Sequence, residues 1–159
     1  MQNLTDLATS LQEIAIAQGI TVGTAESCTG GNVAHQITAI SGSSAYFFGG
    51  VVSYDNSVKH GLLGVPDSVL ENPGAVSEPC ARAMAGGARR LLGVDISVAT
   101  TGIAGPLGGT ARKPVGLVYL AIATATGTEV EEHVFPGDRA AVIDAATRRA
   151  LELLIASFS

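Results

Sequence analysis

The sequence predicts an α/β fold in which helices cover a mainly parallel sheet. Three observations point there. Segments with helical apolar spacing alternate with short apolar runs of strand length. The two strongest runs, "DISVATTG" and "VGLVYLAIATA", lack the polar alternation of a strand with one wet face, so they read as buried on both faces. Glycine-rich stretches follow two of the strands, where sites form beyond the carboxyl ends of an α/β sheet. With 159 residues, 47% hydrophobic and 14% charged, the chain suffices for one well-packed domain spanning 1–159.

The elements follow in order. Leu4, Leu7, Leu11, Ile14 and Ala15 have helical spacing, and Gly19 follows where a helix commonly stops. "ITVGTA" is a short buried strand ending at Glu26, and "GGNVAHQITAI" resumes helical character, so "ESCTG" lies on a strand-to-helix junction. "SAYFFGGVVSY" is a second strand with room for a kink at Gly49 and Gly50. Asn56 can cap a short helix through "SVKHGLL", with Lys59 in its first turn. A Pro- and Gly-containing stretch from Pro66 to Gly74 reads as a connection. Ser77 can cap a helix over Glu78–Leu92 that ends at Gly93. The two buried strands come next, joined by "IAGPLGGTARKP". "EVEEHVF" alternates more and reads as an edge strand, and Asp138 opens a closing helix to about Ser157.

Charge and composition exclude several classes. Acids outnumber bases 14 to 9, for a net charge of −5, and no basic run exceeds two residues. Nothing here offers the basic stripe that nucleic acid or an anionic membrane needs. No apolar stretch reaches the roughly 18 residues of a membrane span, and "MQNLTDLATS" lacks the regions of a signal peptide, so the expectation is a cytoplasmic protein. Cys28 and Cys80 are far apart with no CxxC spacing, which argues for reduced thiols rather than a disulfide or a zinc site.

Chemistry concentrates at "TAESCTGG". Ser27 follows a strand and precedes a helix whose first amides are expected to point towards it, so one junction could supply a nucleophile and donors for an oxyanion or phosphate. The pattern is not a GxSxG elbow, and a helix-capping serine fits it as well. Cys28 is the rival nucleophile, but a thiol needs an electropositive pocket and a base. For the base, His35, His60 and His133 have no recognisable partner acid and no metal-site spacing. Lys59 is the other candidate. To be neutral near pH 7 it must lose about 3 pKa units, or about 4 kcal/mol, which requires burial. Tyr54 could relay a proton or donate to substrate, or only pack. The second glycine-rich loop, "TTGIAGPLGG", could cradle a phosphate or wrap a flat ring, although it is neither a Walker loop nor a dinucleotide fingerprint. Among the basic residues, Lys59, Arg112, Lys113 and Arg139 fall outside the solvated helix faces and are free for an anion.

Five ordered blocks, "AESCTGG", "GSSAYFFGGVVSYDNSVKHGLLGV", "GAVSE", "TGIAGPLGGTARKPVGLVYLAIA" and "FPGDR", resemble the CinA C-terminal domain family, which includes nicotinamide-nucleotide amidases. The resemblance covers about residues 4–155. It implies a three-layer α/β/α sandwich with a mainly parallel, mixed-edge sheet, usually a homo-oligomer. It also implies hydrolysis of nicotinamide mononucleotide to nicotinic acid mononucleotide and ammonia, with no metal and no cofactor. By motif the catalytic serine corresponds to Ser27, and the tyrosine and lysine to Tyr54 and Lys59. The substrate-lining positions correspond to Glu26, Thr29, Gly30 and Gly31 in the first block, to Thr101, Gly102, Gly105 and Gly109 in the fourth, and to Arg139 in "GDR". "TARKP" departs from the family, where an acidic residue is more usual before the lysine. Two other readings stay open: a nucleotide-binding or oligomerisation module of the same fold without turnover, and a Ser–His hydrolase that would use His60.

Overall fold

The computed structural model describes residues 2–158. Helix α1 (Leu4–Gln18) starts at Asn3, whose side chain accepts from the Asp6 amide, and ends at Gly19. β1 (Val22–Glu26) is buried along its whole length. α2 (Asn32–Thr38) and a single 3₁₀ turn lead to β2 (Phe47–Val52), then to the short helices α3 (Asn56–Gly61) and α4 (Asp67–Glu71). α5 (Glu78–Leu92) follows, with the Ser77 hydroxyl accepting from the Cys80 amide at its start. β3 (Ile96–Gly102), β4 (Leu117–Thr124), β5 (Gly127–Val134) and α6 (Arg139–Ala156) complete the chain. Asp138 caps α6 by accepting from the Ala141 amide.

The five strands lie in the order β2-β1-β3-β4-β5. β1 is parallel to both β2 and β3, whereas β3–β4 and β4–β5 are antiparallel. The change of direction has a plain cause. A parallel return from β3 would need a helical crossover, and the 103–116 connection is a glycine-rich loop. Helices cover both faces. On one, Leu7 and Leu11 of α1, Val33 and Ile37 of α2 and Leu151 and Leu154 of α6 pack on Val98, Val118 and Leu120. On the other, Cys80, Met84 and Ala88 of α5 meet Ala25, Ala99, Ala121 and Ala123. That face is built from alanine so that α5 can approach closely. On its other side α5 meets the α3–α4 connection, where Gly87 leaves room because a Cβ there would stand 1.9 Å from the Leu63 carbonyl oxygen. Each buried leucine of the first face contributes about 1.5–3 kcal/mol by leaving water.

Several sequence expectations shift. The second strand is shorter than "SAYFFGGVVSY", because Ser43–Ala45 form the 3₁₀ turn and Ser53 and Tyr54 leave the strand. Asp55, not Asn56, caps α3, its carboxylate accepting from the Ser57 amide and hydroxyl. The Pro66–Gly74 connection contains α4, too short to leave a periodic signal. β5 lies at the sheet edge with alternating exposure. No helix among the described residues is long and apolar enough to cross a membrane.

Candidate active site

The parallel half of the sheet brings three chain turns to one rim. β1 pairs Glu26 with Val52 of β2 on one side and Thr100 of β3 on the other. Ser27 is the first residue beyond β1, and its amide donates to the Thr100 carbonyl at 3.0 Å. The Ser53 amide donates to the Glu26 carbonyl at 2.7 Å, which aims the Ser53–Tyr54 backbone at the same point. From α3, Lys59 reaches back under this turn.

Lys59 Nζ has three neighbours. It donates to the Ser53 carbonyl at 2.7 Å and the Tyr54 carbonyl at 3.0 Å, and stands 3.0 Å from Ser27 Oγ. Lys59 is 1% exposed and Ser27 8%. Burial lowers the lysine pKa from its ordinary value, with the negative charge of Asp55 opposing. Among the described residues Lys59 makes no ion pair. The two carbonyls can only accept, so a neutral amine gives them its two hydrogens and turns its lone pair to the third direction, where Ser27 Oγ lies. A buried lysine with no carboxylate and a serine on its open side is arranged to take the serine proton.

Cys28 lines the same cleft but is differently placed. Burial pushes its thiol up to about 12. At neutral pH it is a protonated wall residue. Cys80 is likewise buried and pushed up to about 11.

The amides at the start of α2 do not face Ser27, contrary to the sequence expectation. Those of Val33 and Ala34 donate to the Glu26 carboxylate at 2.9 and 3.0 Å, and that of Asn32 to the Thr29 carbonyl. Glu26 also accepts from the Thr29 hydroxyl at 2.6 Å. Glu26 and Thr29 therefore support the turn from behind. Gly30 and Gly31, with φ of 59° and 101°, let the chain fold back between Ser27 and α2 at angles that side chains rarely adopt.

A cleft of about 230 Å³ opens in front of Ser27 and Lys59, lined also by Tyr54, Asn56, Val76, Gly102 and Arg139. Thr101 lines it too, while its hydroxyl holds the Ala75 carbonyl at 2.8 Å. Arg139, the first residue of α6, donates to the Gly105 carbonyl at 2.7 Å and to Tyr54 Oη at 3.1 Å. Since guanidinium only donates, the Tyr54 hydroxyl keeps its own hydrogen for the cleft. Gly105 and Gly109 pack against Val115, where Cβ atoms would stand within 2.5 and 2.9 Å of it, so they shape the loop. His60 faces elsewhere, with Nδ1 2.8 Å from the Val65 carbonyl and 3.5 Å from Asp67. Among the described residues no group of three potential ligands could hold a metal ion. Sequence reasoning missed Thr100, whose signal is a pair of threonines ending an apolar strand, and the Ser53 carbonyl, which leaves no signal.

The fold and this rim define an α/β/α domain with a buried serine–lysine pair. The chain belongs to the CinA C-terminal domain family, which matches residues 4–158. A CinA-like protein of Leptospira borgpetersenii is 50% identical over 150 residues, covering 94% of this chain and 36% of that protein. A putative competence-damage inducible protein of Desulforudis audaxviator is 55% identical over 130 residues, covering 82% of this chain and 32% of that protein. The chain thus spans about a third of the length of these curated relatives. Among solved structures, the competence/damage inducible protein of Agrobacterium tumefaciens superposes with a TM-score of 0.93 at 43% identity, covering 98% of this chain and 96% of that one. A CinA superfamily protein of Klebsiella pneumoniae gives 0.94 at 37%, covering 99% and 98%.

Proposed function

We propose that this domain hydrolyses the carboxamide of nicotinamide mononucleotide, releasing ammonia and nicotinic acid mononucleotide in pyridine nucleotide recycling. The observation that carries the reading is the Lys59 amine, held by two carbonyls with its third direction on Ser27 Oγ. Family membership supports the substrate class. Lys59 accepts the Ser27 proton as Oγ bonds to the carboxamide carbon. The oxyanion is received in the turn after Ser27, where the amides of Cys28 and Thr29, unlike those of Gly30 and Asn32, bind no backbone carbonyl. The C–N bond then breaks, and the proton on Lys59 leaves with ammonia through the Tyr54 hydroxyl. Water adds to the acyl carbon, gives a proton to Lys59, and the acid departs as Ser27 Oγ is reprotonated.

Arg139 spends two of its five N–H groups within the protein, and the others are available to the phosphate. Loop 103–109 completes that wall. The enzyme is read as cytoplasmic, in keeping with two buried unpaired cysteines. It is also read as a homo-oligomer. Phe47–Val52 is a charge-free edge strand with Phe48 58% and Val52 50% exposed, and an antiparallel two-fold centred on Gly50 would set Phe48 against Val52 across the axis.

Ammonia release from nicotinamide mononucleotide tests the activity directly. Turnover that disappears in Ser27→Ala supports it, whereas nucleotide binding without release by the wild type would indicate the non-catalytic module.

A further inference from the structure

We infer that Glu26 is a positioning residue for both members of the serine–lysine pair, a role that rests on reading that pair as catalytic. Its main chain serves the lysine. The Glu26 carbonyl accepts from the Ser53 amide at 2.7 Å and the Ser53 hydroxyl at 3.3 Å, and the Ser53 carbonyl in turn accepts from Lys59 Nζ at 2.7 Å. Its side chain serves the serine. The carboxylate accepts from Thr29 Oγ1, which lies 2.8 Å from Thr100 Oγ1, and the Thr100 hydroxyl oxygen lies 3.4 Å from the Ser27 amide.

The order of protons in this chain is determined by its end. Glu26 takes the Thr29 hydrogen, so the contact between the two threonines must be donated by Thr100. The Thr100 oxygen is then left with its lone pairs towards the Ser27 amide, beside its own carbonyl, which accepts from that amide at 3.0 Å. Glu26, Thr29 and Thr100 are all buried, so no water competes for these bonds. The same carboxylate also binds the Val33 and Ala34 amides at the start of α2. Capping and positioning are therefore two separable uses of one group.

Thr29→Val separates them, because it cuts the hydroxyl chain and leaves the Glu26–α2 bonds in place. The probe is phenylmethanesulfonyl fluoride, whose sulfonyl group bonds to Ser27 Oγ as fluoride leaves and the serine proton passes through Lys59 to water. Intact mass gives the labelling rate with no assumption about substrate. Thr29→Val should label at least about tenfold more slowly than wild type, since small misplacements of reacting groups are costly. Its pH midpoint should be unchanged and only its plateau lowered, because Lys59 keeps its surroundings. Thr29→Ser should restore the rate to within about threefold, and Glu26→Gln should be slowed at least as much as Thr29→Val. Labelling of Thr29→Val at the wild-type rate, or failure of Thr29→Ser to restore it, would overturn the role of the chain. A wild type left unlabelled at Ser27 would overturn the serine–lysine reading itself and this inference with it.

Discussion

The two halves of the sheet use polarity in opposite ways. In the parallel half, β2-β1-β3, polar groups are buried: Thr24, Glu26, Ser27, Ser53, Lys59, Thr100 and Thr101 all lie inside. At the antiparallel half, β4-β5, polar groups are half-exposed: Arg149 of α6 pairs with Glu131, and His133 Nε2 lies 2.9 Å from the same carboxylate. Parallel strands all end on one rim, so their following turns converge and can keep polar groups away from water. Hairpin-linked strands alternate their ends and send one turn each way. The cavity at the far end of that half, lined by Ile122, Thr124, Glu129, Leu153 and Ser157, has hydroxyls and a carboxylate but no lysine or histidine in its lining. The buried polar cluster thus belongs to the first half and the half-exposed ion pair to the second.

The largest expected break in this division is Ser27→Ala, which should reduce ammonia release on the order of 10⁵-fold while the fold is retained. Cys28→Ala should keep most of the activity in the same assay, and the reverse pattern would assign the nucleophile to the thiol. Lys59→Met and Lys59→Arg should each lose about 10²–10⁴-fold in kcat, since neither can accept the serine proton. With wild type, kcat/KM should rise with pH through the lowered lysine value.

Lys59 also predicts a stability effect of definite sign. Its folded pKa lies below 10.5, so the unfolded chain binds more protons between the two values. Its burial cost is fully present below the folded value and fades as pH approaches 10.5. The stability of Lys59→Met relative to wild type should therefore fall as pH rises from neutrality towards 10.5, and a difference independent of pH would contradict the linkage.

Arg139→Ala should raise KM for nicotinamide mononucleotide about 10- to 100-fold and for the phosphate-free riboside much less, the size expected of charge-assisted hydrogen bonds. Equal effects would remove the phosphate from Arg139. Glu131→Gln tests the other half. Hydrogen bonds from Arg149 hold the Glu131 carboxyl at about 2. With both side chains about a third exposed, solvent screening leaves about 1–2 kcal/mol of that shift as stability. The carboxyl is lowered, so this contribution is present above its ordinary 4.5 and lost as pH falls through about 2. Denaturant titration should show the loss in Glu131→Gln at neutral pH with ammonia release unchanged. His60→Ala, the smallest effect, should leave activity within about twofold, and a silenced variant would reinstate the histidine as base.

The sequence exposes these halves unequally. Buried strands such as "DISVATTG" and "VGLVYLAIATA" are legible because continuous apolar runs carry a strong signal, but the β3–β4 reversal is not, because such a run looks the same in either direction. Ser27 and Lys59 are visible as residue types at chain turns. Their meeting, 32 positions apart in sequence, depends on strand order and on two carbonyls, Ser53 and Tyr54, which any residue could supply. The resemblance sets Glu26 among the substrate-lining positions, whereas its carboxylate turns to the α2 amides behind the turn, a choice that depends on the fold and leaves no signal in the sequence. Helix α4 escaped because five residues make barely more than one turn.

The three acceptors around Lys59 bear on inhibitor chemistry. Once Ser27 has attacked an electrophile, the ammonium has three hydrogens for three oxygens, so the adduct state is the better hydrogen-bonded one. A boronic acid exploits this directly. Boron bonds to Ser27 Oγ and becomes a tetrahedral anion, the displaced proton stays on Lys59, and the cleft gains an ion pair without exchanging a proton with solvent. Where Lys59 is already protonated in the free protein, that proton must be expelled, and affinity should fall about tenfold for each unit of pH below the lysine's lowered value.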